Sequence, residues 1–325
     1  MVYEEQIKAL YLVPYRDLPQ LKTVIREASK EARVLSTFVD EIMLSKENII
    51  QALRALVLSC DVVVGVVTRQ VPAGIILETA YVESLNKPFI MFARRPVIPF
   101  FHPRMRYLSL KYNIIYYETL DDLRHRLSLF LAQLRTELKK PWYLLAKEEE
   151  NKLTSILEQS MKTNVLVLGK DSDSEGLRKI ERISTILKTK GYNPVLLKKL
   201  PQIKYLSLEG KMIRVGALTR FVIAEDSRPS GHIDEVNICA RCEYVTATLR
   251  EIGSGSTWMQ AHYPLQYNFM NRFCYRNGQS TKIHDSLCDK IYETLDESAE
   301  KAIAWAEKRI AEQEREFSRR IYSNF

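Results

Sequence analysis

The first third of the chain alternates short apolar runs with segments in which apolar residues recur at helical spacing. The strongest strand signal is the apolar run at 61–67, and residues 18–33 have the spacing of an amphipathic helix. Further strands are predicted at 9–13, 33–38 and 88–92, and further helices at 46–59 and 74–85. Because several of these strands are apolar on both faces, the pattern predicts a parallel sheet covered by helices, an α/β fold.

The second half of the chain repeats this order of elements. Its predicted elements are a strand at 164–169, a helix at 175–190, strands at 193–197 and 220–226, a helix at 233–242 and a strand at 244–249. The run at 220–226 parallels the one at 61–67, and Glu235 falls opposite Glu78. Identity between the halves is low, so the shared order of elements is what predicts a tandem duplication.

Two helical stretches accompany the repeats. Residues 120–162 are predicted to form a helical linker between an α/β domain at 1–119 and a second one at 163–284. Residues 285–325 carry one long amphipathic stripe, which corresponds to a helix of roughly 50 Å. Such a helix is predicted to dock on the domains or on a second subunit, and the second case would make the protein a homo-oligomer.

Composition and charge narrow the class of protein. The chain has 48 basic and 40 acidic side chains in 325 residues, but the basic ones occur as dispersed pairs, which argues against a nucleic-acid partner. No apolar stretch reaches the roughly 20 residues that a membrane-spanning helix needs, and the first residues lack the features of a secretory signal. Five cysteines do not suggest a disulfide framework, so we expect a reduced, cytoplasmic protein.

Polar residues follow the central strand of each repeat, at the edge where open α/β sheets bind ligands. In the first repeat this loop contains Thr68 and leads to Glu78, and in the second repeat it leads to Glu235. The candidate ligand contacts of the second loop are Asp226, Ser227, Ser230, Gly231 and His232. Hydroxyls, glycines and a helix N-terminus can hold phosphate or sugar hydroxyls. A carboxylate there can attack a glycosidic carbon or stabilise the oxocarbenium-like centre formed when the bond breaks.

In the first repeat the strand at 61–67 is followed by the run Glu78-Thr79-Ala80-Tyr81 and by the turn Asn86-Lys87-Pro88 into the next strand. With these features, over roughly residues 8–95, the repeat resembles the nucleoside 2-deoxyribosyltransferase family, a relative of the TIR-type NAD hydrolases. The resemblance implies a flavodoxin-like or TIR-like fold, a catalytic glutamate at Glu78 and a functional tyrosine at Tyr11. The second repeat, over 163–260, resembles the same superfamily more distantly.

Several candidates also have structural interpretations. Glu78 can simply be an acidic side chain that the helix dipole favours in the first turn. His232 can be a hydrogen-bonding loop residue rather than a general base. The acidic segment 171–174 can cap the following helix or contact a ligand through Asp171. The C-x-x-C motif at 239–242 is predicted to be structural, because no second ligand pair stands at a spacing that suits zinc. No metal and no cofactor is implied.

A segment rich in glycine and serine, 249–259, follows the last predicted strand of the second repeat. Free backbone N–H groups in such a segment can cradle a phosphate, and Trp258 can stack on a base or a nicotinamide ring. The alternative is a surface loop with one buried tryptophan.

Three functions are compatible with the sequence. The leading hypothesis is N-glycosidic bond chemistry, hydrolysis or base transfer, on a nucleoside, a nucleotide or NAD, with Glu235 or Glu78 acting at the anomeric carbon. The second is a nucleotide-binding sensor of the same superfamily without catalysis, which the sparse loop of the first repeat favours. The third is assembly through the C-terminal helix, which leaves the polar loop of the second repeat unexplained.

Overall fold

The chain folds into two compact units, each built on a sheet of its own. The computed structural model describes residues 7–14, 17–41, 49–68, 73–95, 114–204, 206–227, 232–254, 264, 266–276, 288 and 290–322. Unit 1 comprises residues 1–148 and 316–325, and unit 2 comprises residues 149–315. In both sheets all the strand pairings are parallel.

Unit 1 contains the predicted alternation of strands and helices and one further strand, at 114–117, that the apolar pattern does not predict. Its strands are β1 (Lys8–Leu12), β2 (Leu35–Phe38), β3 (Val62–Val67), β4 (Phe89–Arg94) and β5 (Ile114–Tyr117). Its helices are α1 (Leu18–Glu31), α2 (Ile49–Ser59), α3 (Ala73–Ser84) and α4 (Leu120–Leu138), and α5 (Pro141–Glu158) contains the boundary between the units. The strands lie in the order β2-β1-β3-β4-β5, which is the order of flavodoxin-like sheets.

The core of unit 1 lies where α1 and α4 cover one face of the sheet. Alternate valines of β3 point into this layer and are buried, namely Val62, Val64 and Val66. Leu123, Leu127 and Leu131, spaced one helical turn apart on α4, are fully buried in the same layer. Residues 120–138, which were predicted to begin a linker, are therefore part of the core of the first domain.

Unit 2 has the same strand order, extended by one strand. Its strands are β6 (Asn164–Leu168), β7 (Asn193–Val195), β8 (Phe221–Glu225), β9 (Thr246–Glu251), β10 (Met270–Tyr275) and β11 (Ile291–Tyr292). Its helices are α6 (Ser174–Thr189), α7 (Leu208–Ala217), α8 (His232–Arg241) and most of α9 (Leu295–Tyr322). The order β7-β6-β8-β9-β10-β11 matches that of unit 1 over five strands. The predicted pair of tandem parallel-sheet α/β domains is confirmed.

The apolar stripe of α9 is covered by unit 2 itself. Ala299, Ala302 and Ala306 are fully buried, and the ring of Trp305 lies 6.0 Å from that of Phe273 on β10. Docking of the C-terminal helix on a domain is thereby confirmed, and docking on a second subunit stays a prediction. Among the described residues, no helix is long and apolar enough to cross a membrane.

Several elements of unit 2 differ from the sequence-based expectation. Residues 249–251 belong to β9 rather than to the loop rich in glycine and serine, because their backbones pair with β10. Ile291 lies in β11, and α9 begins at Leu295 instead of residue 285, so this helix is about 42 Å long. The apolar pattern does not predict β10, because polar Asn271 and Arg272 interrupt it.

The expectation that the cysteines do not form a disulfide is wrong for one pair. Cys274 of β10 is bonded to Cys288, 14 residues further along the chain. β10 pairs with β11 so that Cys274 stands opposite Ile291, and this register brings residue 288 near the strand. Sequence spacing alone does not reveal such a register. Cys60, Cys239 and Cys242 are buried and are not disulfide-bonded.

Gly216 of α7 provides a test of the packing in unit 2. A Cβ at Gly216 would come 2.2 Å from a ring carbon of Tyr244, which is buried and held by a 2.6 Å hydrogen bond to the carbonyl of Ile213. We expect Gly216→Ala to lower the free energy of unfolding by about 1–3 kcal/mol, because the clash outweighs the gain in helix propensity. Urea denaturation measures this change.

Leu208 serves as the control for that substitution, because it lies on the same helix and is 65% exposed. Leu208→Ala is expected to change the free energy of unfolding by less than about 0.5 kcal/mol. If Gly216→Ala were as stable as the wild type, the contact with Tyr244 would be contradicted.

Candidate functional site

The carboxyl edge of the unit 2 sheet includes the position at which sheets of this strand order bind ligands. In flavodoxin-like sheets the crevice opens between the first and third strands, where the direction of the connections reverses. Here those strands are β6 and β8, and β8 ends at Glu225. Gly169, directly after β6, lies so close that a Cβ on it would be 3.2 Å from the Glu225 Cβ. A larger residue at 169 would therefore press on Glu225.

Glu225, Ser227 and Tyr275 form a buried hydrogen-bonded group at this edge. The Tyr275 hydroxyl donates to Glu225 Oε1 at 3.1 Å and lies 3.1 Å from Ser227 Oγ. Ser227 Oγ also donates to Glu225 Oε1 and accepts the backbone N–H of Glu251 at 2.9 Å. These contacts tie together the ends of β8, β9 and β10.

Lys179 of α6 adds a positive charge to this group. Its Nζ lies 2.6 Å from Glu251 Oε2, 3.7 Å from Glu225 Oε1 and 3.6 Å from Glu175 Oε1. Burial lowers the pKa of Lys179, but the hydrogen bond to Glu251 and the charges of the three glutamates outweigh it, so the pKa is raised. We call Lys179, Glu225, Ser227, Glu251 and Tyr275 the edge cluster.

Tyr275 remains a hydrogen-bond donor within the edge cluster. Burial, reinforced by the negative charge of Glu225, raises the pKa of its hydroxyl far above the ordinary value. With the hydroxyl neutral and Lys179 cationic, the two carboxylates of the cluster outweigh its single positive charge when they are ionised. Glu175 adds further negative charge at a more exposed position.

The structure brings some of the predicted unit 2 residues to this edge. Asp226 is fully buried directly after β8, and its N–H donates to the Leu249 carbonyl at 2.7 Å. Glu235 is half-buried in the first turn of α8. The pKa of Cys239, one turn further on, is raised mainly by burial and to a smaller extent by the charge of Glu235. His232 begins α8, but its side chain lies outside the described part of the structure, as do Ser230, Gly231 and Trp258.

The acidic segment after β6 has a structural role in part. Asp173 caps α6, since its carboxylate accepts the N–H of Gly176 at 2.8 Å. Asp171 is exposed and forms a 3.3 Å ion pair with Lys198. The structure therefore places Asp171 on the surface near the edge rather than in the edge cluster.

The predicted unit 1 residues are not brought together in the same way. Tyr11 is buried beneath α1, where its hydroxyl lies 2.8 Å from Ser29 Oγ, so it is a core residue and not an edge residue. Thr68 follows β3 and donates to Asp17 at the start of α1. Glu78 is 8% exposed on α3, and burial raises its pKa to about 8.

The two units share a tyrosine that sequence reasoning missed. Tyr117 ends β5, and its hydroxyl donates to the carbonyl of Val67 at the end of β3 at 3.2 Å. Tyr275 ends β10 and reaches Glu225 at the end of β8. The strand positions correspond, but the acceptor is a backbone carbonyl in unit 1 and a carboxylate in unit 2. If β5 and β10 had been recognised in the sequence, a tyrosine at the end of the fifth strand of both repeats would have been the signal for these residues.

The sequence analysis did not identify Lys179 or Glu251 either, because a lysine on a helix and a glutamate at the end of a strand are usually solvent-exposed. Among the described residues, no group of three or more histidine, cysteine or acidic side chains could hold a metal ion.

Comparison with known proteins provides no functional assignment. No family model and no curated protein matches the chain. Among solved structures, a provisionally named sugar binding protein from Salmonella typhimurium LT2 aligns with 94% of this chain and 88% of its own, at 9% identity and a TM-score of 0.28. The C-terminal domain of glucosamine-fructose-6-phosphate aminotransferase from Francisella tularensis aligns with 93% and 82%, at 11% identity and a TM-score of 0.23.

A third solved structure is NAD+-bound 3-phosphoglycerate dehydrogenase of Entamoeba histolytica. It aligns with 94% of each chain at 9% identity and a TM-score of 0.25. Likenesses this loose carry no inference about function.

Glu78 gives a prediction about pH. Its pKa is about 8 in the folded protein against an ordinary value of 4.5, so the folded state binds a proton more tightly than the unfolded state. The contribution of Glu78 to the free energy of unfolding is therefore fully present below about pH 4.5 and is lost as the pH rises through 8. Between pH 5 and pH 9 we expect the free energy of unfolding of the wild type to fall by roughly 3–5 kcal/mol more than that of Glu78→Gln.

Urea denaturation of both proteins at several pH values measures this difference. Glu83→Gln on the same helix is the control and should keep the wild-type pH profile. Parallel profiles for wild type and Glu78→Gln would show that Glu78 is not a buried, neutral carboxyl.

Lys179 gives a prediction about the edge cluster. Lys179→Met leaves Glu251 and Glu225 without their ammonium partner, so we expect the free energy of unfolding to fall by about 3–5 kcal/mol. Adding Glu251→Gln to this variant should recover part of the loss, because one of the opposed charges is removed. Urea denaturation of the single and double variants measures both effects.

Lys308→Met is the matched control, because Lys308 forms an exposed ion pair with Glu312 on α9. Its expected effect is below about 1 kcal/mol. Equal losses for Lys179→Met and Lys308→Met would mean that the cluster is not an energetically coupled group.

Proposed function

We propose that unit 2 binds a nucleoside, a nucleotide or NAD at the carboxyl edge of its sheet and acts on the N-glycosidic bond, by hydrolysis or base transfer. The observation that carries this proposal is the edge cluster. Its buried carboxylates and hydroxyls stand at the strand end where this sheet order positions ligands.

The charge of the edge cluster supports chemistry in which positive charge develops. Breaking a glycosidic bond gives the sugar oxocarbenium character, and preorganised groups of opposite charge, shielded from water, stabilise such a centre. Glu225 is 2% exposed and is held in place by two hydroxyls. Together with Glu251 it outweighs the charge of Lys179, so the edge favours a cationic centre over an anion.

Two glutamates of unit 2 are assigned different roles in this proposal. Glu225 already accepts hydrogen bonds from Ser227 and Tyr275, so we assign it a positioning and electrostatic role. Glu235 is half-buried at the start of α8, and we assign it the action at the anomeric carbon. By their place between the end of β8 and the start of α8, Ser230, Gly231 and His232 are proposed to contact the sugar or phosphate, whereas Asp226 is fully buried and is assigned no contact. Trp258 is proposed to stack on the base.

Glu78 of unit 1 is less suited to this chemistry. With a pKa of about 8 the carboxyl is mostly neutral at pH 7, and a neutral carboxylic acid does not stabilise a cation as a carboxylate does. By strand register, Val66 of β3 stands where β8 carries Glu225, so unit 1 has no carboxylate at the equivalent position. We therefore assign the reaction to unit 2 and a non-catalytic role to unit 1.

A nucleotide sensor without turnover is the second candidate. The observation that favours it is that Glu225 already accepts hydrogen bonds from Ser227 and Tyr275 within the protein, which restrains the carboxylate. A site of this kind can bind a cationic ring and leave its glycosidic bond intact.

Chromatography of the purified protein tests the proposal. The protein is incubated separately with NAD and with mixed deoxynucleosides plus a free base, and nicotinamide or an exchanged nucleoside is the expected product. We expect Glu235→Gln to slow product formation by about 100-fold or more, because the charge at the reacting centre is lost. Glu78→Gln is the matched control and should retain the wild-type rate at pH 7.

A binding titration with NAD and with deoxynucleosides accompanies the assay. Binding without product formation by the wild type would contradict the enzyme hypothesis and support the sensor hypothesis. If the wild type neither binds nor converts any of these compounds, both versions of the proposed function are wrong.

A further inference from the structure

The disulfide of unit 2 lies one residue away from the edge cluster. Cys274 is bonded to Cys288 and directly precedes Tyr275, whose hydroxyl reaches Glu225 and Ser227. The backbone carbonyl of Tyr275 accepts the N–H of Ile252 at 2.9 Å, just after β9. The position of β10 at Cys274 therefore determines where the Tyr275 hydroxyl stands.

The disulfide also anchors the edge strand β11. This strand has two residues, and it pairs Ile291 with Cys274 and Tyr292 with Tyr275. The N–H of Arg276 donates to the Tyr292 carbonyl at 3.0 Å. Because so short a strand forms few hydrogen bonds, a covalent link three residues before it contributes much to keeping β11 against β10.

We propose that Cys274–Cys288 is a thiol–disulfide exchange site whose substrate is a dithiol reductant, and that its redox state controls the geometry of the edge cluster through Tyr275. The proposal rests on the proposed function only for the identity of the ligand that the cluster binds. The change in the cluster itself is independent of any ligand.

The exchange is chemically balanced. A thiolate of the reductant attacks the sulfur of Cys288, which is partly exposed, whereas Cys274 is fully buried. Cys274 leaves as a thiolate and takes up a proton, and the second thiol of the reductant then displaces Cys288. Two electrons and two protons pass to the protein, and the reductant is released as its own disulfide.

The other described thiols are poorly placed for this reaction. Cys60 and Cys239 are buried, and burial raises the pKa of Cys60 to about 11 and that of Cys239 further. Neutral, buried thiols exchange slowly.

Hydrogen exchange measured by mass spectrometry on the full chain tests the proposal. The oxidised protein is compared with protein reduced by dithiothreitol. Reduction should accelerate exchange in β10, in β11 and at the Glu251 amide, which donates to Ser227, by at least about tenfold. Exchange in β1 and β3 of unit 1 should stay unchanged.

Cys288→Ser should reproduce the reduced pattern without reductant, and Cys60→Ser should keep the oxidised pattern. Peptide mapping under non-reducing conditions establishes the state of each sample. The proposal is overturned if the oxidised protein lacks the Cys274–Cys288 link, or if reduction leaves exchange at β10 and Glu251 unaltered.

Titration with NAD in both redox states separates this proposal from the proposed function. Weaker NAD binding after reduction supports both. Altered exchange at β10 and Glu251 with no binding of any N-glycoside in either state supports the redox site and overturns the proposed function alone.

Discussion

The burial of Glu225 at the end of an apolar strand is the constraint on which the unit 2 edge depends. A carboxylate removed from water costs several kcal/mol unless hydrogen bonds and a countercharge replace its hydration. Here the hydroxyls of Ser227 and Tyr275 and the ammonium of Lys179 at 3.7 Å supply that replacement. To deliver them, β10 has to end at Tyr275, and the turn after β8 has to bring Ser227 back over the strand. The second turn of α6 has to present Lys179 toward the sheet. One buried charge thereby fixes three elements.

The two units show that the fold does not require this arrangement. Both sheets have the same order over five strands, and in both a tyrosine at the end of the fifth strand reaches the end of the third. In unit 1 that tyrosine, Tyr117, finds the carbonyl of Val67, which needs no countercharge. The same architecture therefore forms with an apolar strand end or with a charged one, and the functional difference lies in the residues at the edge.

The fold was largely predictable, because continuous apolar runs such as 61–67 determine both the strands and their burial, and their alternation with helices determines the parallel sheet. Asp226 and Ser227 were found as edge residues for the same reason, since the end of the apolar run marks the end of the strand. The partners of Glu225 were not predictable. Tyr275 lies on a strand interrupted by polar residues, and Lys179 lies on a different element altogether, so only tertiary structure brings them together. The disulfide depends on the register of a two-residue strand, which leaves no periodic signal.

The energetics of the edge cluster are the strongest reason to assign it a function. Replacing a buried ionic group by well-packed apolar residues is often neutral or stabilising, whereas removing one partner is costly. Unit 1 has an apolar residue, Val66, at the equivalent register position within the same strand order, so this strand order does not require the charged version. A charged group that the strand order does not require, and that stands where such sheets bind ligands, is therefore the candidate site of unit 2. The proposed chemistry at a positive centre rests on the excess of carboxyl groups over ammonium groups in this cluster.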